Sequence, residues 1–448
     1  MAAKALGVRG KGAFFRYAVD LASRFCGVPL TPDPAGAVGD GGPLSMPSVT
    51  HYDRHSVPRL PGEPDLLAVT QPGAAFPFDL FAALRFWLTD EGHSPTDLPR
   101  WDRHDRLIAS ASVHAEMGLL DTPVVNGYLQ LFRAWLGAQT GEETRTRRAT
   151  VVLTHDVDDP VDPGNIGHGL WVMGAATLKG RPRAALGHLR GLPRTLWAKG
   201  RRHQHWNFAE IAALEAEFGC GSAFYFASTP WWWPGAASWD VTYDVRSPAF
   251  RRVFAHLRGV GAEVGLHLSY NARDDLALLE GERARLERVS GGPVIGGRHH
   301  YWHLHKPLWR TLQDHGRAGL RYDTSVGFND AAGYRLGVAL PFRPFDPETA
   351  APIDVVQIPT LLMDGNLLYD EGCGVEQALA KIDELLAGLK TYEGTAAIDW
   401  HVRTAWSGAS RFARWAAVYR GLLERLAGDS DIDVRLPREV YADYTSSP

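Results

Sequence analysis

The run Thr150-Val151-Val152-Leu153-Thr154-His155-Asp156-Val157-Asp158 passes from aliphatic and β-branched residues straight into a polar end. A short apolar run of this length, closed by polar residues, predicts a buried strand. Six comparable runs follow it: Ser222–Ala227, Glu263–Leu268, Val294–Gly297, Asp354–Pro359, Thr395–Trp400 and Ile432–Leu436. Helix-like stretches lie between them, at Phe208–Phe218, Ala249–Val260, Asp274–Val289, Pro307–His315, Val375–Leu389 and Arg411–Leu426. Strands alternating with helices imply βαβ units and a parallel sheet. About seven such units in ~300 residues point to an α/β fold, a distorted (β/α) barrel, with an open sheet as the alternative.

Upstream of Ala149 the character changes. Residues 31–75 are rich in Pro and Gly and read as loops and short strands, whereas Phe76–Thr89 and Asn126–Ala138 carry helical apolar spacing. The polar segment Gly141–Arg148 has no periodicity and suits a linker. These features divide the chain into a smaller N-terminal α+β domain, 1–145, and a larger domain, 146–448.

The bulk properties exclude several classes. The chain has 448 residues, 45% hydrophobic and 22% charged, which is ordinary for a globular protein. Lys and Arg total 47 against 51 Asp and Glu, a formal net charge of −4, so there is no basic footprint for nucleic acid. Cys26, Cys220 and Cys373 form neither a CxxC pair nor a disulfide framework, and a reducing, cytoplasmic compartment is expected. Neither a signal peptide nor a membrane span is expected, because every apolar stretch is interrupted early. Gly259-Val260-Gly261 lacks the third glycine of a dinucleotide fingerprint, and no P-loop or GxSxG motif occurs.

The polar residues fall at strand ends. Asp156 and Asp158 close the first strand, His267 and Asn271 follow the third, Arg298 to Tyr301 follow the fourth, and Asp399-Trp400-His401 closes the penultimate one. In a β/α barrel the loops at that rim carry the chemistry. Two carboxylates two residues apart repel unless a cation or shared proton lies between them, so one metal ligand beside one base is expected; a solvated acidic loop is the plain alternative. His267 is a candidate ligand and Asn271 a weaker oxygen donor. In the cluster His299, His300, His303 and His305, His300 is the strongest candidate.

These segments together resemble the polysaccharide deacetylase family (the NodB-homology domain of carbohydrate esterase family 4). Thr154-His155-Asp156-Val157-Asp158 is similar to its first motif and His267-x-Ser269-x-Asn271 to its H-S/T-x-x-H motif. Arg298-x-His300-Tyr301 is similar to R-x-P-Y, and Arg321-Tyr322-Asp323-Thr324-Ser325 to a Y-D-S-S segment. Asp399-Trp400-His401 stands where the family has its last catalytic histidine. The resemblance covers roughly residues 150–440. The first ~145 residues resemble the domain that precedes some bacterial glycan-locus members. Asn271 replaces the family's second metal histidine and His300 replaces the proline. The resemblance therefore leaves three cases: metal on Asp158, His267 and Asn271; metal on Asp158, His267 and His300; or a degenerate site.

The resemblance implies metal-dependent hydrolysis of an N-acetyl, or less favourably an O-acetyl, group on a carbohydrate, with zinc the expected divalent ion. Asp156 would be the base, His401 the acid, and Arg298 the partner that keeps Asp156 ionised. Tyr301, Asp323, Trp231 and Trp400 would contact substrate, with Trp231-Trp232-Trp233-Pro234 as a stacking wall or a loop plug. Two competing expectations remain. Asp156-Val157-Asp158 also fits the D-x-D of a nucleotide-sugar glycosyltransferase, and Asn271 suits a non-catalytic carbohydrate-binding scaffold.

Overall fold

The computed structural model describes Ala5 to Ser446, except residues 34, 39–43, 50–51, 54, 59–69, 90–99, 142, 145, 159, 161–173, 175–176, 178–205, 231, 234, 238, 242, 371 and 406–412. The N-terminal part pairs β1 (Leu6–Val8) in parallel with β2 (Leu30–Pro32), across the helix Ala13–Cys26. Its other long helices are Leu80–Leu88, capped by the Asp79 carboxylate, and Val124–Thr140, which ends on the left-handed Gly141. Among the described residues, no helix is long and apolar enough to cross a membrane.

The larger part is one parallel sheet. Its strands are β3 (Ala149–Val157), β4 (Ser222–Phe226), β5 (Glu263–Leu268), β6 (Gly296–His299) and β7 (Tyr322–Asp323). After the antiparallel pair β8 (Phe345–Asp346) and β9 (Ala351–Pro352) come β10 (Val356–Gln357), β11 (Thr360–Met363), β12 (Thr395–Asp399) and β13 (Ile432–Val434). The neighbour order is β10-β7-β6-β5-β4-β3-β12-β11, with β13 also on β3. The two edge strands β10 and β11 are separated only by Ile358 and Pro359. Three Cα–Cα steps span at most ~11 Å, so the edges must meet and the sheet must roll up. Ile358 still bonds the Asp323 carbonyl at 2.9 Å, while Ala397 already bonds the Pro359 carbonyl at 2.7 Å. One stretch of chain thus leaves β7 for β12 and closes a distorted (β/α) barrel.

The seven runs read from the sequence are all strands of this barrel. Two details differ. The run Asp354–Pro359 is two strands displaced toward Met363, because the chain changes partner in its middle; and β7, two residues long, carries no pattern to read.

Strand alternation sorts the side chains. Val151, Leu153 and Val157 of β3 join Phe224, Phe226, Leu266, Leu268 and Ile398 under the surrounding helices. Val152, Ala223, Tyr225, Tyr322 and Ala397 fill a second cluster, which Val440 of the C-terminal helix Pro437–Ser446 covers. Gly296 is required there: a Cβ on it would lie 2.2 Å from the Tyr322 ring. The apolar core of the N-terminal part does not stop at residue 145. It continues through Leu304, Leu308, Trp309, Leu312, Val326, Leu336 and the segment Val338–Val355.

Arg298 of β6 is fully buried, and each of its nitrogens is bonded. Nε donates to the Thr324 carbonyl (3.1 Å), Nη2 to Thr154 and Thr360 hydroxyls (2.9 and 3.3 Å). Nη1 lies 2.9 Å from both Asp156 Oδ1 and Asp399 Oδ1. Removing one partner from a buried charge network costs about 3–5 kcal/mol, chiefly through the charges left behind. Arg298→Met is therefore expected to lower unfolding free energy by that amount in urea titrations, and the added changes Asp156→Asn and Asp399→Asn to restore most of it. No recovery in the triple variant would contradict the charge origin of the loss.

The helix Leu276–Ser290 places Glu282, fully buried, under the end of β5, where Oε2 accepts the Ser269 N–H at 3.1 Å. Burial outweighs the hydrogen bonds from Ser269 and Thr229 and raises its pKa to about 7, from a usual 4.5. The folded state then holds a proton that the unfolded chain has already lost, so this contribution is full below the unfolded value and falls away as pH rises toward 7. At 1.36 kcal/mol per unit the loss is of the order of 3 kcal/mol. Urea unfolding at pH 5 and pH 8 should show wild type losing that much relative to Glu282→Gln; parallel pH profiles would refute it.

Candidate metal centre

Above the Arg298 layer, the strand ends bring four elements to one point. Asp158 follows β3, His267 lies in β5, His300 follows β6, and His401 follows β12. Asp158 Oδ1 is 3.2 Å from His267 Nε2 and 3.9 Å from His300 Nε2, and Oδ2 is 3.1 Å from His401 Nε2. Asp158, His267 and His300 each offer a donor atom within 4.8 Å of the others.

Each imidazole is fixed by a bond to its other nitrogen. His267 Nδ1 donates to the Arg298 carbonyl (3.0 Å), His300 Nδ1 faces Asp240 Oδ1 (3.3 Å), and His401 Nδ1 faces Asp364 Oδ1 (2.6 Å). A carbonyl or carboxylate there places the proton on Nδ1 and turns the Nε2 lone pair to the shared point, an arrangement that also orients metal-binding histidines. Asp158 Oδ1 and His267 Nε2 are buried without a hydrogen-bond partner. Two imidazole nitrogens and a carboxylate oxygen, two of these atoms unsatisfied, fit a divalent cation of the zinc type with room for further ligands.

Asp156, Asp399 and His401 form a second group of possible donors. There the Arg298 guanidinium already supplies a cation between the two carboxylates. We therefore place the candidate ion on the first group.

The electrostatics follow from this packing. Burial favours the neutral form of Asp158, but His401, His267 and Arg403 outweigh it and hold the carboxyl well below the usual range. Burial and Arg403 lower the His401 pKa, yet Asp364 and Asp158 bring it well above the ordinary histidine value. Burial lowers His267 as well, and Asp156 with Asp158 raise it on balance. Asp399 is raised to about 6 by burial, against Arg298 and with Asp156.

Of the two alternative third donors, the structure brings up His300. The Asn271 amide instead donates to the Gly235 carbonyl at 2.8 Å. Asp156 sits beside the triad with Oδ2 3.7 Å from His267 Nδ1, and the Arg298 guanidinium is joined to the centre through Asp156 and Asp399. Tyr301 is half-buried with its ring 4.8 Å from that of His300. Two expected substrate contacts are turned away. Trp400 is fully buried against Tyr419, and Asp323 is fully buried against His315 (2.9 Å) and Ser325 (2.7 Å). Each is adjacent to an inward residue, Asp399 or Tyr322, and alternation sends it to the opposite face. Trp231 lies outside the described residues; the neighbouring Trp233 is packed between Arg246 and Arg285 rather than presented as a wall.

Sequence reasoning missed Asp364, Asp240, Arg403 and Thr404. Asp364 holds His401 and accepts from the Thr404 hydroxyl, and Arg403 Nη1 is 2.7 Å from Asp158 Oδ2. Asp364 stands at a strand end and was findable by the same rule, had β11 been placed correctly. Asp240 lies in a loop without periodicity, and nothing in the sequence marks it.

Residues 44–141 match a family of unknown function (DUF7033). No curated protein matches the chain. Among solved structures it is similar to a Mycobacterium smegmatis protein assigned as a polysaccharide deacetylase (13% identity, TM-score 0.45, 68% of this chain and 93% of that one). It is also similar to Puue allantoinase (14%, TM-score 0.43, 67% and 91%) and to a Pseudomonas aeruginosa PAO1 protein assigned as a polysaccharide deacetylase (12%, TM-score 0.40, 66% and 91%).

Proposed function

We propose that the chain is a metal-dependent deacetylase that hydrolyses an N-acetyl group on a carbohydrate. The observation that carries this reading is the convergence of Asp158 Oδ1, His267 Nε2 and His300 Nε2 within 4.8 Å, directly beside the Asp156 carboxylate. A divalent ion held by these three residues supplies Lewis-acid chemistry, polarising an acyl oxygen and acidifying water.

The chain's own groups do the rest. Asp156 accepts the proton of the attacking water, while Arg298, bonded to Oδ1, orients the carboxylate. Water oxygen bonds to the acyl carbon and the C–N bond breaks. His401, held through Nδ1 by Asp364, delivers the proton that the departing amine needs. The products are acetate and a free amino sugar. The D-x-D alternative gives His267, His300 and His401 no task, whereas all three imidazoles face Asp158 here.

Zinc titration by calorimetry tests the assignment. His267→Ala and His300→Ala are expected to abolish tight zinc binding, and Asn271→Ala to leave it intact. His401→Ala is expected to keep the ion and lose about 10²- to 10⁴-fold in acetate release, the usual weight of acid–base help. Metal loss in His401→Ala equal to that in His267→Ala would move His401 among the ligands. Absence of zinc binding in wild type would overturn the enzyme reading in favour of a carbohydrate-binding scaffold.

A further inference from the structure

A line of rings leads away from the metal triad. His267 and His300 lie 4.7 Å apart by ring centroid, His300 and Tyr301 4.8 Å, Tyr301 and His104 4.9 Å, and His104 and Trp239 5.7 Å. Tyr270 touches three of these rings, at 5.6 Å from His104, 5.8 Å from Tyr301 and 6.2 Å from Trp239. His303 is stacked on one face of Tyr270 at 3.7 Å. Trp239 is 49% exposed, one of very few large apolar side chains so exposed among the described residues, while Tyr270 and Tyr301 are half-buried.

His104 is the only member that comes from the N-terminal half, and it is 3% exposed, at the centre of the group. It is held by a tight turn in which Trp101 and Leu107 are bridged and the Asp102 carboxylate accepts the N–H groups of His104 (2.8 Å) and Arg106 (3.0 Å). Ion pairs tie that turn to the barrel: Asp105 to Lys306 (2.6 Å) and Arg273 (2.9 Å). Arg106 also donates to Asn329 at 2.6 Å, with its guanidinium 5.8 Å from the Tyr301 ring centre.

The hydrogen bonds fix the tautomer. Arg103 Nε donates to His104 Nε2 at 3.0 Å, so Nδ1 carries the proton and donates to the Tyr270 hydroxyl at 3.1 Å. That hydroxyl, already accepting, keeps its own hydrogen for a ligand. Rings spaced and tilted in this way, edged by hydroxyl and guanidinium groups, suit a ligand with an apolar face and a polar rim. A pyranose ring has that form.

We propose that Trp239, Tyr270 and Tyr301 form a stacking subsite for a sugar ring beside the metal triad, completed by the 101–107 turn, whose His104 is a positioning residue for the Tyr270 donor. This deepens the deacetylase reading and rests on it for the identity of the neighbouring site. It also gives the segment 44–141, a family of unknown function, a part in the same site.

The test titrates the β-1,4-linked N-acetylglucosamine tetramer into the zinc-loaded and the EDTA-treated full chain by calorimetry. Wild-type hydrolysis of a small aryl acetate is followed separately. Tetramer affinity is expected to fall about tenfold in Trp239→Ala and several-fold in Tyr270→Phe, in proportion to a lost ring contact and a lost hydrogen bond. His104→Phe should match Tyr270→Phe, and His104→Asn, which keeps a donor near the Nδ1 position, should restore affinity. Unchanged affinity in Trp239→Ala and Tyr270→Phe would overturn the subsite. So would a wild type that hydrolyses the aryl acetate without binding the tetramer, which leaves the deacetylase reading standing. Affinity lost in Trp239→Ala with no acetate release from the tetramer by the zinc-loaded wild type supports the subsite and removes the deacetylase reading.

Discussion

One guanidinium organises the barrel. Arg298 reaches from β6 to Thr154 and Asp156 on β3, to the Thr324 carbonyl just past β7, to Thr360 on β11 and to Asp399 on β12, and its charge lies over the Tyr225 ring of β4 at 5.3 Å. A cation so far from water is tolerable only when its donors are satisfied and its charge is matched. Two carboxylates on neighbouring strands do that, and the requirement fixes the relative height of β3, β6 and β12. Everything above this layer inherits its position from it.

The layer above reverses the logic. Asp158 is a single carboxylate facing His267, His300, His401 and Arg403, and three of its neighbours are held from behind by the Arg298 carbonyl, Asp240 and Asp364. Below, one cation is shared by two anions; above, one anion is shared by several nitrogen groups. The alternation of sign along the barrel axis keeps Asp156, which stands between the layers, in contact with a positive group on one side and near an imidazole on the other.

Much of this was legible in the chain because strand periodicity and strand ends are local properties. The residue pairs Asp156/Asp158, Asp399/His401 and Arg298/His300 each sit two apart, and a period of two puts both members on the barrel's inner side. The same rule, applied strictly, turns Trp400 and Asp323 outward, and the motif resemblance obscured it. Both Asn271 and His300 stood in the sequence as third donors, and the choice between them was not legible. It depends on how the turn after β6 runs, with Tyr301 and Trp302 at φ of 58° and 49°, and on Asp240 arriving from a distant loop. Asp240, Asp364 and the 101–107 turn are long-range contacts, and no local pattern encodes them. The helix Ala13–Cys26 has apolar spacing too, but it is broken by Arg16, Asp20 and Arg24, so it reads as scattered patches until its neighbours are known.

The apolar core that runs from Val8–Leu136 into Leu304–Val355 has a consequence for how the protein is made. During synthesis the first of these segments leaves the ribosome long before the second, and the whole of β3, β4, β5 and β6 is translated in between. Its apolar face therefore waits uncovered, and such exposed intermediates are the species that aggregate or recruit chaperones. A fragment that ends near residue 145 would lack the part of this apolar core that Leu304–Val355 supplies.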